Sequence, residues 1–115
     1  MGKVFVTQDV LVRSLEGDFV RKFDLTSAER FGALEVLVSS AQSMFSSVPV
    51  VRQLRERLAD FGEDDYLLPI GDPSVMAAAA MVAGARNNGR IKILKWDRRG
   101  GCYVPVQVDI SGSMQ

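Results

Sequence analysis

DYLLPIGDPSVMAAAAMVAGARNNGRIKILKWD, residues 65–97, is the stretch that decides the fold. It reads as a strand, a tight turn, a helix and a second strand. The apolar run YLLPI at 66–70 stops at Gly71-Asp72-Pro73. Asp72 suits the N-cap, and Pro73 suits the first helical position, where its missing N–H costs nothing. From Val75 to Ala85 no charge interrupts Met76, four consecutive alanines, Met81 and Val82. A helix so uniformly apolar is expected to be covered on most sides and to be the most buried element. Asn87-Asn88-Gly89 supplies residues that tolerate positive φ and closes it. A strand–helix–strand of this length is a crossover unit, and its strands are expected to be parallel.

The flanking segments extend this unit. Residues 49–61 place Val50, Val51, Leu54, Leu58 and Phe61 at helical spacing, with Arg52, Arg55, Glu56, Arg57 and Asp60 on the wet side. Preceded by a strand at 33–39, this helix makes a second βαβ unit that shares the strand at 66–70. Near the start, residues 3–12, with a break expected near Gln8-Asp9, and 19–25 alternate around the turn Glu16-Gly17-Asp18, which predicts an antiparallel hairpin. At the end, residues 90–96 and 102–110 predict another hairpin. There Cys102, Val104, Val106, Val108 and Ile110 are expected inward, Tyr103 outward, and Trp96 in the core. Pro105 marks 102–110 as an outer strand, since it donates nothing to a ladder. The expected class is α/β: a small mixed sheet of about six strands with two βαβ crossovers and antiparallel N- and C-terminal hairpins. Residues 1–110 form a single domain and 111–115 a flexible tail.

Composition narrows the function classes. With 115 residues, 14 basic and 14 acidic, the chain has no global field to draw in polyanions. Its single cysteine allows no internal disulfide and fits a reducing compartment. No run has transmembrane length, so no membrane partner is expected.

Particular residues carry a resemblance. The order DYLLPIGDP, an alanine-rich helix, NNGR, LKWDR at 94–98 and YVPVQVDI is similar to a small protein family of marine tailed bacteriophages. The resemblance covers most of residues 50–110, and more loosely FDLTSAERFGALEVLVSS near the start. It implies a phage origin and a bacterial host cytoplasm. The family has no assigned activity, so no functional residue carries over.

Four constellations have chemistry to offer. Gly71, Asp72 and Ser74 sit where a helix N-terminus offers N–H groups to an anion, as a cofactor- or nucleotide-binding turn would. Asp72, however, puts a carboxylate where a phosphate would lie, and neither a glycine-rich dinucleotide pattern nor a phosphate-loop lysine is present. Around the last hairpin, Arg90, Lys92, Lys95, Trp96, Arg98, Arg99 and Tyr103 interleave bases with aromatics, a pattern that can hold nucleic acid. Glu63, Asp64 and Asp65 lack a cation-loop spacing. The chain has no histidine, so it lacks the commonest general base and metal ligand. These readings assign no catalytic residue, no metal and no cofactor. The fourth constellation is the apolar pair Met44 and Phe45 in a serine-rich loop, which with Tyr103, Arg98 and Arg99 forms a candidate partner surface. The expected function is non-enzymatic protein–protein contact, with itself or a host protein; nucleotide or nucleic-acid binding ranks second.

Overall fold

The structure, a computed structural model, describes residues 2–40, 42 and 47–112. In chain order these form β1 (Lys3–Gln8), β2 (Leu11–Arg13), β3 (Phe19–Arg21), a 3₁₀ helix (Thr26–Phe31) and β4 (Ala33–Val38). Then come α1 (Ser47–Arg57), β5 (Tyr66–Leu68), α2 (Pro73–Arg86), β6 (Arg90–Asp97) and β7 (Cys102–Asp109). The main sheet has the order β4-β1-β5-β6-β7, and β2 and β3 pair separately. β1 runs parallel to both β4 and β5, β5 is parallel to β6, and β6 is antiparallel to β7. The mixed α/β class and the C-terminal antiparallel hairpin are as the sequence predicts.

The sheet has an apolar core on each face. On one side Phe5, Leu37, Leu67 and Ile91 meet Val50, Leu54 and Leu58 from the α1 segment and Val75, Ala79 and Ala83 from α2. The helix residues recur at every fourth position, the spacing that puts them on one face. Phe61 closes this core, its ring 5.7 Å from that of Phe5. On the opposite face Val4, Val6, Leu68, Leu94 and Tyr103 pack under Leu25 and Ala28 at the 3₁₀ helix. The successive residues Leu67 and Leu68 serve opposite cores, as strand alternation requires.

Several local expectations are corrected. The segment 3–12 breaks after Gln8 as the sequence predicts, but β1 becomes an inner parallel strand, and the N-terminal antiparallel hairpin is the short pair β2–β3. Alternation identifies a strand but not its partner, and β1 gains more by lying between two strands than by pairing locally. The α2 helix is covered on one side rather than most sides. Val75, Ala79 and Ala83 are buried, but Ala77 and Ala85 are exposed and Met81 is 76% exposed. Alanine explains the difference, because it is the best helix former as well as a small core residue, so its presence does not require cover. Along β7 the inward and outward assignments fail in part: Tyr103 is buried, while Val106 and Ile110 are exposed. Trp96, assigned to the core, is 46% exposed. It shares the Leu94 face as expected, but β6 runs past the end of β5 and leaves it little cover.

Candidate binding surfaces

β1 and β5 lie side by side, yet the chain leaves them on opposite faces. From β1 it passes through β2, β3 and the 3₁₀ helix; from β5 it passes through α2. The crevice outside their carboxyl ends is therefore the topological switch point, the usual ligand position in open α/β sheets. The sequence-predicted turn Gly71, Asp72 and Ser74 falls here. Asp72 is the N-cap of α2, its carboxylate accepting from the Ser74 N–H at 2.9 Å. The Asp72 N–H is taken by Oε1 of the buried Gln8 at 2.8 Å. The amide of Gln8 also donates to the Ser39 carbonyl at 3.0 Å and the Gln42 carbonyl at 2.8 Å. Next to it the buried Thr7 hydroxyl accepts from the Ile70 N–H at 2.8 Å. Gly71, at φ +100°, comes so close that an added Cβ would lie 2.6 Å from Gln8 Cβ. The turn's glycine and cap are thus used internally, and Gln8 stands where a phosphate would approach. Gln8 is the residue that sequence reading missed, and no local signal marks it as buried, since its partners are far along the chain.

A groove of about 700 Å³ lies beside this point, beyond the end of β5. Phe23, Leu68, Ile70, Leu94, Trp96 and Tyr103 give it an apolar lining. Lys22, Lys95 and Arg98 also line it, against the single carboxylate Asp24. Trp96 and Tyr103 are cross-strand partners in edge-to-face contact, ring centroids 5.0 Å apart. Burial, then the charge of Asp24, pushes the Tyr103 hydroxyl above the usual tyrosine range, and hydrogen bonds from Thr26 hold Asp24 below the usual carboxylate range. β5 and β6 are registered at Leu67 and Ile93 only, so past Leu94 the β6 backbone has its strand neighbour on the β7 side. The groove therefore combines an apolar floor, a strand edge and a cationic rim.

The third feature is the β2–β3 ribbon, an arm on which all six strand residues are exposed. The register pairs Leu11 with Arg21 and Arg13 with Phe19 on one face, and Val12 with Val20 on the other. Hydrogen bonds from Ser14 N–H to Asp18 O and from Gly17 N–H to Ser14 O close the tip, where Leu15 is fully exposed. At the root, Arg21 Nε sits 3.2 Å from Asp9 Oδ1. The Arg13 guanidinium lies 5.1 Å over the Phe19 ring, which stays 64% exposed. The ribbon thus exposes apolar side chains on both faces, with arginines among them on one.

The remaining sequence candidates are scattered. Arg98 reaches the groove, and Arg99 lies exposed in the β6–β7 turn with its N–H on Asp97 Oδ1 at 3.1 Å. Met44 and Phe45 lie outside the described residues. Two of the three acidic neighbours have structural work: Glu63 pairs with Arg90, and Asp65 accepts from the backbone N–H groups of Lys3 and Gly62. Lys92 of the basic hairpin lies over the Tyr66 ring at 4.4 Å. No helix among the described residues is long and apolar enough to cross a membrane.

The chain that folds into this mixed five-stranded α/β domain and its arm matches a phage protein family over residues 2–110. The chain belongs to that family, the phage Pam3 gp32-like proteins. Comparison with curated proteins and with solved structures gives no match.

Proposed function

We propose that this phage protein works by protein–protein contact made through the β2–β3 arm, without catalysis. The observation that carries the reading is the arm itself, which exposes Leu11, Val12, Leu15, Phe19 and Val20 together. A lone two-stranded ribbon is at best marginally stable in water, and clustered exposed apolar side chains mark contact surfaces. The setting proposed with it is the cytoplasm of a bacterial host infected by a tailed, marine phage, with a second copy or a host protein as partner. A photo-cross-linking residue in place of Leu15, expressed during infection, is expected to give protein adducts. Recovery of nucleic acid in their place would contradict the reading.

One observation favours a second reading. The groove sets Trp96 among Lys22, Lys95 and Arg98, a combination that suits a stacked base beside a phosphate. Against it, Tyr103 spends its ring on Trp96 and is buried, and the other exposed ring of the groove, Phe23, already carries Lys22 over it. Single-stranded DNA binding that falls steeply with salt would favour this alternative.

A further inference from the structure

Resting on the reading of the arm as a protein-contact element, we infer that its occupant is a second copy of this chain. The arm tip of each copy enters the cationic, apolar groove of the other. Charge matches first: the tip sequence Ser14-Leu15-Glu16-Gly17-Asp18 carries two carboxylates and no cation. The groove offers Lys22, Lys95 and Arg98 against Asp24. Apolar surface matches next, since the fully exposed Leu15 has no cover in its own copy, and the groove lining of Phe23, Ile70, Leu94 and Trp96 suits such a side chain.

Position and reach agree. Lys22 and Phe23 follow β3 directly and form one wall of the groove, so the arm leaves the body beside it. A two-fold axis passing next to that root lays each arm across the partner's groove, an isologous exchange in which every contact occurs twice. Five residues on each side of the tip span about 17 Å, enough to cross a groove of this size. A stable interface buries about 1,600 Å² in total, so each of two equivalent arm–groove contacts has to supply only about half. The β6 edge beyond Leu94 can also accept an extended segment by main-chain pairing. The outer edge of β7 is less suited to such pairing, because Pro105 interrupts it.

The test is sedimentation equilibrium of the full chain over a wide concentration range, with a charge-exchange pair of variants. The wild type is expected to pass from monomer to dimer. Glu16→Lys/Asp18→Lys makes both arm and groove cationic, and Lys95→Glu/Arg98→Glu makes both acidic. Each variant alone is expected to dimerise more weakly by about tenfold or more, and an equimolar mixture should recover association as a heterodimer. Recovery on mixing also shows that both variants fold. A wild type that stays monomeric throughout, or a mixture that fails to recover, overturns the inference. In that case protein adducts from position 15 would still uphold the arm as a contact element, with another partner, while their absence would remove that reading as well.

Discussion

Gly71→Val is expected to lower the unfolding free energy by about 3–5 kcal/mol, measured by chemical denaturation. Two costs combine. Valine at φ +100° takes a left-handed backbone that costs an ordinary residue about 1–2 kcal/mol, and a β-branched one more. The new Cβ would also stand 2.6 Å from both Cβ and Oε1 of Gln8, so the buried amide must move, and overpacking of this kind costs about 1–3 kcal/mol. Moving Gln8 loosens its bonds to Ser39, Gln42 and Asp72 together, so the effect is not confined to the turn. A change below about 1 kcal/mol would show that the turn relaxes freely and that the close packing of Gly71 on Gln8 carries little weight.

Gln8→Leu comes next in size, with an expected loss of about 2–4 kcal/mol. The volume is nearly kept, so the cost falls on three hydrogen bonds: two donated by the side-chain amide and one accepted from the Asp72 N–H. Groups left unpaired away from water cost about 1–3 kcal/mol each, reduced here because Ser39 lies at the surface. Gln8→Glu separates polarity from charge. The carboxylate keeps an acceptor for Asp72 but faces two carbonyl oxygens in a buried position, which raises its folded pKa. A raised folded pKa means that stability is fullest below the unfolded value of about 4.3 and is lost as pH rises through the folded value. The Gln8→Glu penalty should therefore grow between acid and neutral pH, while that of Gln8→Leu stays flat.

These two residues also show what the sequence discloses and what it leaves out. The Asp72 cap and the close of α2 were legible because their chemistry is local: a carboxylate two residues before the N–H it binds, and Asn88 at φ 58° before Gly89 at φ 80°. Gln8 was not legible, since its partners lie 31 to 64 residues away and nothing local distinguishes a solvated glutamine from a buried one. The pairing of β1 was hidden for the same reason. In β7, alternation separated two sets of side chains but could not say which face had cover. Both faces of the inner strands do, whereas the β6–β7 hairpin outruns its neighbours, so Tyr103 is buried and Val106 is not. The hairpin of the arm was legible, but its exposure was not, because Phe19 and Phe23 suit a core in any pattern. Their exposure follows from where the short ribbon leaves the body.

That exposure is also what makes the arm the centre of the account. Hydrogen exchange of residues 10–22, compared at low and high protein concentration, tests it most directly. An arm covered by a second copy should exchange almost without protection when dilute and become protected as concentration rises, while the β1 amides stay protected at both. Protection of the arm that does not change with concentration would contradict the account.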